Sequence, residues 1–378
     1  MKDIISIFLI LFCTLGSVPA HAWETAPHTG TPPLVDSLRV QSPLDFCGER
    51  VPLDNREVRE RFEKEMLLML WDRPQVILWI KRSNRHLPVI EKMLRDTGMP
   101  EDLKYITLIE SALRPHAGSA KGAIGFWQFT RETGQRYGLR IDDKIDERRN
   151  VVASTRAAIG CFREFYESFG TWTLAAAAFN MGRAGLQTEI LAQKSVDYYD
   201  LYLPLETQRY VLRIVAAKLV MTDPGKYGFH LTKDDLYPPL KQESVTLECA
   251  EKIPIRIVAE AAQTHFKVIK DLNPEIRGYY LQKGSYTISI PAGSSKSFYS
   301  NYEKILNEWS AQRGEYIYVV KKGDNLSRIA DRFGIPLPAL FLWNDLKLDE
   351  PIHPGDRLII YPGKEKGDKS RIGVLDRE

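Results

Sequence analysis

The chain has 378 residues, of which 44% are hydrophobic and 27% charged, a composition that excludes a wholly disordered chain and suggests two or three domains. Lys and Arg total 52 against 49 Asp and Glu, and a formal charge of +3 is too small to argue for a nucleic acid partner. With 25 glycines and 22 prolines, the chain is neither collagen-like nor of low complexity.

The first 22 residues have the pattern of a signal peptide. An apolar run at residues 4–15 follows Lys2, and Ala20-His21-Ala22 fits a cleavage site. The run is too short to span a bilayer, so we predict that residues 1–22 are removed and that the protein is exported to the periplasm or cell envelope. An uncleaved anchor is the alternative, and only a retained signal segment would associate the protein with a membrane.

The spacing of apolar residues divides the rest of the chain. Residues 23–45 contain four prolines and are predicted to be a linker. Helical periodicity predicts a helical domain over residues 46–230, with a core at about 85–230. Residues 223–245 hold three further prolines and mixed charge, which indicates a domain boundary.

The C-terminal third contains a repeat at an offset of 71 residues. The two copies match at Val258/Ile329, Ala259/Ala330, Glu260/Asp331, Ile269/Leu340 and Asn273/Asn344. Runs typical of β-strands flank each copy, so each is predicted to be a small module of two strands around two short helices. The predicted segments are modules at 244–292 and 316–362, a helical linker at 293–315 and a charged tail at 363–378.

Glu110 is the candidate general acid. Leu103, Ile106 and Thr107 form an apolar stripe that leads to Glu110 on one face of a predicted helix. Partial desolvation there would raise the pKa of the carboxyl and keep it protonated near neutral pH, which suits an acid catalyst. A solvated or salt-bridged Glu near a helix end is the ordinary alternative.

Possible sugar-contacting residues follow at Phe126, Trp127 and Gln128. The two aromatic rings can pack on sugar faces, and the amide can hydrogen-bond an acetamido or hydroxyl group. Core packing is the alternative for Trp127. Further on, Ala175 to Gly182 is a small-residue segment that permits close helix packing.

Together these motifs resemble the soluble-lytic-transglycosylase-like enzymes of the goose-type lysozyme superfamily, over about residues 85–230. The resemblance rests on five motifs in order: Glu110-Ser111, Ser119, Gly125 to Gln128, Ala178-Phe179-Asn180 and Glu206-Thr207. It implies a mainly α-helical, lysozyme-like catalytic domain, and the two modules after it make the predicted fold class α+β.

The resemblance implies a role for each matching residue. Glu110 would be the sole catalytic acid and base, while Ser119, Gln128 and Asn180 would contact the substrate. Tyr210 would lie close to the acid. Phe179 stands where the family usually has Tyr, so this chain lacks a hydroxyl that could orient the acid or the sugar.

The second repeat copy resembles a LysM module, at Val319 to Ala330 and at Ile352 to Leu358. That family binds N-acetylglucosamine polymers such as peptidoglycan and chitin. The candidate glycan contacts are Gly323, Asp324, Asn325, Leu326 and Asn344. The first copy lacks the Gly-Asp-x-Leu segment, so we expect a structural spacer there.

A single carboxyl implies, by the resemblance, an unusual reaction on peptidoglycan glycan strands. The bond between N-acetylmuramic acid and N-acetylglucosamine would break and leave a 1,6-anhydro end. Ordinary glycosidases use two carboxyls. The other candidates are predicted to form salt bridges and caps instead; they are Asp142, Asp143, Asp146 and Glu147. A non-catalytic peptidoglycan-binding protein and a hydrolytic goose-type lysozyme remain as alternatives.

No metal or cofactor is predicted. The seven histidines are scattered without metal-ligand spacing, and His116 is interpreted as a solvated loop residue. Cys47, Cys161 and Cys249 remain after signal removal and allow at most one intramolecular disulfide. We predict a buried thiol at Cys161.

Overall fold

The computed structural model describes residues 33–40, 43–312, 317–344, 346–347 and 350–361. The predicted signal peptide and charged tail lie outside the described residues, as do residues 23–32 of the predicted linker. Within the described ranges, no helix combines the length and the apolar character needed to cross a bilayer.

A helical domain occupies residues 34–222. A hairpin of β1 (Asp45–Phe46) and β2 (Glu49–Arg50) precedes its long helices. Its helices are α1 (Leu34–Ser37), α2 (Arg56–Trp71), α3 (Arg73–Asp96), α4 (Ile106–Ser111), α5 (Arg131–Arg136), α6 (Val151–Phe169), α7 (Trp172–Met181), α8 (Arg183–Gln193) and α9 (Leu205–Thr222).

Short polar side chains cap these helices. Asn55 accepts hydrogen bonds from the first-turn amides of α2, and Asp72 does the same for α3, which has Pro74 at its start. Asn150 caps α6, and Gly170 ends that helix in the left-handed region at φ 77°. Local sequence thus sets where the long helices begin and end.

The helical core surrounds α7. Ala175 to Ala178 are all buried, and their small side chains let α7 pack closely on both α6 and α9. Helix α2 also packs against α9. This packing fixes the residues at the end of α7, Phe179 and Asn180, beside the residues carried by α9.

Two βααβ modules follow, which confirms the predicted α+β class. The first contains β3 (Gln242–Cys249), β4 (Ile253–Pro254), α10 (Ile255–Ala261), α11 (Phe266–Leu272), β5 (Tyr280–Leu281) and β6 (Gly284–Pro291). Its strands β3 and β6 pair antiparallel, with Val245 opposite Ile288. After helix α12 (Ser295–Gln312), the second contains β7 (Ile317–Val319), α13 (Leu326–Arg332), α14 (Leu337–Asn344) and β8 (Arg357–Ile359).

The repeated asparagines make equivalent hydrogen bonds in both modules. The amide of Asn273 donates to the Ile269 and Ser289 carbonyls and accepts from the Ser289 amide, each at 2.7 Å. Asn344 makes the equivalent three bonds, to Leu340 and Ile359, at 2.6–3.0 Å. Each asparagine therefore ties the end of the second helix to the last strand.

Helix α12 is more than the linker that was expected. Phe298, Tyr302 and Trp309 on one of its faces are buried in the core of the first module. The helix packs on α10 and β3. The first module is therefore a larger unit than the two strands and two helices of the repeat.

The first module also packs on the helical domain. The Asp146 amide donates to the Glu275 carbonyl at 2.9 Å, and the Arg277 amide donates to the Lys144 carbonyl at 2.7 Å. Between these bonds, Ile145 enters the core of the first module beside Ile276. A loop of the helical domain is thus part of the first module's core.

We predict that Asn344→Ala loosens the second module, whether or not Asn344 also contacts glycan. Three hydrogen bonds are lost, and a partly buried amide and two carbonyls lose their partner, which costs about 1–3 kcal/mol. Hydrogen exchange at the Ile359 amide measures this loss, and Asn273→Ala at Ser289 is the matched comparison. Unchanged protection with lost glycan binding would instead make Asn344 a direct sugar contact.

Candidate active site

Glu110 lies on the last turn of α4 and faces a groove of about 670 Å³. The helix ends there because Ala112 and Leu113 adopt positive φ angles, and Arg82 of α3 donates to the Ala112 carbonyl at 3.1 Å. The end of the α4 backbone is thus held from a neighbouring helix. The groove is also lined by Ser119, Lys121, Gln128, Thr130, Glu132, Arg136, Tyr137, Phe179, Asn180, Arg183 and Glu206.

The environment of Glu110 raises the pKa of its carboxyl. Burial is the largest cause, and the negative charge of Glu206 acts in the same direction. A hydrogen bond from Tyr210 and the charge of Arg213 oppose the shift without reversing it. A carboxyl with a raised pKa stays protonated to higher pH, as a general acid requires.

Tyr210 contacts the Glu110 carboxyl directly. Its hydroxyl donates to Oε1 at 2.5 Å, and the ring is buried. Burial, followed by the adjacent Glu110 charge, raises the pKa of the phenol well above its usual value, so the hydroxyl remains a donor. The carboxyl is therefore oriented by a neutral group.

Helix α9 is fixed by a buried carboxylate on α2. Glu65 is 3% exposed and pairs with Arg209 and with Arg213, the latter at 3.0 Å. These two arginines flank Tyr210 along α9. The position of Tyr210 relative to Glu110 therefore depends on α2.

A buried arginine holds the loop that forms one wall of the groove. Arg148 donates to the carbonyls of Gly122 and Phe129 at 3.0 and 3.1 Å and pairs with Asp146 through two bonds of 2.8 Å. A Cβ at Gly125, where φ is +85°, would lie 1.8 Å from the Arg148 carbonyl oxygen. Gly125 thus allows the close approach of its backbone to that of Arg148.

Three of the predicted polar contacts line the groove. Ser119 Oγ accepts from the Ala123 amide at 3.1 Å, and Asn180 Oδ1 accepts from the Thr207 hydroxyl at 2.8 Å. The Gln128 amide nitrogen donates to the Gly125 and Ala117 carbonyls. These bonds orient the side chains through Asn180 Oδ1 and Gln128 Nε2, so the Asn180 amide nitrogen and the Gln128 amide oxygen are not used in them.

Of the three aromatic residues predicted to contact the substrate, one lines the groove and two do not. Phe179 lines the groove, where its ring stacks on Phe162 at 4.7 Å between ring centres. Phe126 and Trp127 do not line it: both are buried, and Trp127 Nε1 donates to Thr155 Oγ1 at 3.0 Å. Both residues contribute to the core behind the loop, so their burial favours the core-packing alternative given for Trp127. Contact of either ring with a sugar stays a prediction.

None of the four alternative acids, all within the described chain, lines the groove. Asp146 pairs with buried Arg148, and Asp142 pairs with Arg140 at 2.7 Å. Glu147 accepts from the Arg140 amide at 2.7 Å. Asp143 is exposed. Salt bridges thus account for two of the four, and Glu147 is held by a backbone hydrogen bond instead.

The groove contains charged residues that the sequence reasoning missed. Glu206 belongs to the Glu206-Thr207 motif of the sequence analysis, so its place in that motif could have indicated that it lines the groove. Arg183 follows Gly182 at the end of another recognised motif. Arg136 and Tyr137 carried no signal, because only the packing of α5 against α6 brings them to the groove.

In the second module, the predicted glycan-contacting residues have structural bonds. Gly323 has φ 89°, and Asp324 accepts from the Lys321 amide and the Tyr318 hydroxyl. Asn325 caps α13, and Leu326 packs on the module core. These residues shape the loop before α13, and their contact with glycan stays a prediction.

The three described cysteines are all free, with Cys161 buried as predicted. Burial raises the pKa of the Cys161 thiol to about 12, so it is a neutral thiol at neutral pH. His116 is exposed, and its Nδ1 lies 2.8 Å from an Arg149 nitrogen. In the described part of the chain, no group of three or more His, Cys, Asp or Glu side chains could hold a metal.

Comparison with protein families identifies the class. Residues 88–201 match the transglycosylase SLT domain, and residues 318–360 match the LysM domain. The chain therefore carries an SLT domain followed by a LysM domain, and the resemblance described above is confirmed. The predicted enzyme class, a lytic transglycosylase, is confirmed as well.

A similar curated protein is membrane-bound lytic murein transglycosylase D of Escherichia coli strain K12. It is 29% identical over 335 residues, which cover 84% of this chain and 72% of that protein. The protein of the same name from Escherichia coli O6:H1 gives the same values. Among solved structures, the 70 kDa soluble lytic transglycosylase of Escherichia coli aligns with a TM-score of 0.34 and 14% identity, covering 54% of this chain and 34% of that one.

We predict that Tyr210→Phe moves the alkaline limit of activity to higher pH while lowering kcat. In the unmodified protein, the hydrogen bond from Tyr210 favours the charged carboxylate. Removing that bond therefore raises the pKa of Glu110 further. Since the acid must be protonated, activity then persists to higher pH. The variant also loses the charge-assisted hydrogen bond that orients the Glu110 carboxyl, and this loss should lower kcat about tenfold or more.

Tyr198→Phe is the matched control. Its hydroxyl donates to the Thr207 carbonyl at 2.6 Å, so this variant also loses a buried hydrogen bond at α9. It should lose stability and keep the pH profile. An unshifted alkaline limit in Tyr210→Phe would contradict a direct effect on Glu110.

Proposed function

We propose that this protein cleaves the β-1,4 bond between N-acetylmuramic acid and N-acetylglucosamine in peptidoglycan and forms 1,6-anhydro ends. The observation that carries the proposal is the Glu110 carboxyl, whose pKa is raised by burial and which faces a long groove while bonded to Tyr210. The similarity to a lytic murein transglycosylase supports the substrate class.

In the first step, protonated Glu110 gives its proton to the glycosidic oxygen as the bond to the muramyl anomeric carbon breaks. The carbonyl oxygen of the muramyl N-acetyl group attacks that carbon from within the substrate and forms an oxazolinium ion. The protein then needs no second carboxyl as a nucleophile. Glu110 is left as a carboxylate that accepts the Tyr210 hydrogen bond.

In the second step, the Glu110 carboxylate takes the proton of the muramyl O6 hydroxyl. Oxygen O6 attacks the anomeric carbon, the oxazolinium ring opens, and the N-acetyl group is restored. No water is consumed, and Glu110 returns to its protonated form. Ring closure is favoured over attack by water because O6 is held in the same molecule at high effective concentration.

Polar groups of the groove would hold the substrate for these steps. Gln128 offers an amide oxygen and Asn180 an amide nitrogen, which suit the N–H and C=O of an acetamido group. Ser119 lies on the same wall as Gln128. The LysM domain would keep the enzyme on the glycan, and export by the signal peptide would bring it to the cell envelope.

One observation favours the hydrolytic alternative. Glu206 is exposed in the groove and close enough to raise the pKa of Glu110 through its charge. A second carboxylate beside an acid could activate water, as in an inverting glycosidase. Glu206→Gln separates the two reactions, because it would abolish hydrolysis but leave anhydro products.

The deciding experiment uses purified sacculi and the masses of the released muropeptides. The unmodified protein should release products one water lighter than those of hydrolysis, and Glu110→Gln should lower their release by about a thousandfold or more. Gln keeps the shape of the side chain and an acceptor for Tyr210, so folding should be retained.

Three other results would each contradict the proposal. Full-weight reducing ends would indicate a lysozyme. Binding to sacculi without release would indicate a non-catalytic wall-binding protein, for which Phe179 would be one reason. Full activity of Glu110→Gln would exclude Glu110 as the acid.

We predict that deletion of residues 316–378 weakens sacculus binding but largely preserves cleavage of soluble fragments. The second module has its own small core around Ile329 and Leu340, and the groove residues all lie before it. Sedimentation with sacculi measures binding, and release from short glycan fragments measures turnover. Unchanged sedimentation would show that the LysM domain does not contribute to sacculus binding.

A further inference from the structure

Two arginines share one carboxylate on the wall of the groove. Arg136 on α5 and Arg183 on α8 both donate to Glu164 Oε1, at 2.5 and 2.6 Å. The Tyr137 hydroxyl donates to the other oxygen of Glu164 at 2.8 Å. The end of α5 and the start of α8 thus converge on Glu164 of α6.

This cluster has a net positive charge and unused donors. Two guanidinium groups face one carboxylate, and each donates to it through a single nitrogen. Their side chains are 57% and 41% exposed, so their remaining N–H groups are accessible. Glu164 holds both in place, which reduces the entropy lost when they bind a ligand.

The cluster belongs to the groove that contains Glu110. Arg136, Tyr137 and Arg183 line it together with Phe179 and Asn180. Asn180 is only three residues before Arg183 and packs beside α9 through Thr207. A polymer lying in the groove would therefore meet the two arginines while one of its sugars lies near Glu110.

We propose that Arg136 and Arg183 form a subsite for a carboxylate carried by the glycan strand. This inference rests on the proposed function and adds a specificity for charge to it. Guanidinium groups bind carboxylates through charge-assisted, often bidentate, hydrogen bonds, whereas neutral hydroxyls gain less from a paired cation. The subsite therefore favours strands with anionic substituents over neutral ones.

A peptidoglycan strand has two sources of carboxylate. The peptide stem carries free carboxylates at its acidic residues and its end. The lactyl group of N-acetylmuramic acid is an amide while the stem is attached and becomes a carboxylate when the stem is removed. The shared chemistry is one carboxylate beside the sugar backbone.

The test compares Arg136→Gln, Arg183→Gln and the double variant on three substrates. These are strands with peptide stems, strands with the stems removed, and stem-free strands whose lactyl carboxylates have been converted to amides. The matched control is Arg163→Gln: Arg163 lies on α6 beside Glu164, but it donates to the Thr97 carbonyl away from the groove. Turnover gives kcat/KM, and calorimetry of the same strands with Glu110→Gln enzymes gives Kd without turnover.

We expect each single variant to lower kcat/KM on stem-bearing strands by about three- to tenfold, the size of a partly exposed charge-assisted hydrogen bond. The loss should be larger in the double variant and absent in Arg163→Gln. Activity on amidated strands should not change. A loss confined to stem-bearing strands assigns the carboxylate to the peptide, and a loss confined to stem-free strands assigns it to the lactyl group. A loss on both shows that the subsite accepts either carboxylate.

An equal loss on all three substrates would overturn the proposal, because it would show a general effect on the groove. Unchanged kcat/KM and Kd on every substrate would overturn it too. If the unmodified protein releases no product, the proposed reaction fails, but the calorimetry still decides the subsite. A Kd that weakens in the variants only for carboxylate-bearing strands would then support it.

Discussion

The groove wall and the first module both depend on one buried ion pair, Asp146 with Arg148. Both side chains are almost fully buried, and the guanidinium also donates to two carbonyls of the wall loop. Removing one partner of such a pair leaves a buried charge unpaired, which costs about 3–5 kcal/mol. Because the Asp146 amide also donates to the Glu275 carbonyl, the same residue links the groove that contains Glu110 to the first module.

The chemistry of Glu110 is a balance between burial and two favourable contacts. Burial raises the pKa, whereas Tyr210 and Arg213 limit the rise, and the carboxyl stays protonated to higher pH than a solvated one. Tyr210, Arg213 and Glu65 all lie outside residues 88–201, which match the SLT domain. Helices α2 and α9 therefore complete a site that the matched region contains only in part.

The two repeat copies have the same internal bonds and different surroundings. Asn273 and Asn344 join helix to strand in the same way. The first copy has gained α12 as part of its core and accepts Ile145 from the helical domain, whereas residues of the second form a separate small core. The first copy is thus packed into the helical domain, and the second, which matches the LysM domain, has a core of its own.

The sequence by itself determined the helical domain, its caps, the βααβ repeat and the position of Glu110. These features follow from local periodicity, capping side chains and short motifs, which act over a few residues. Tertiary structure alone decided that Phe126 and Trp127 are buried and that Arg136 meets Arg183 at Glu164. An aromatic residue in a motif has the same local pattern whether it faces a ligand or the core, and contacts between distant segments arise only when the helices pack.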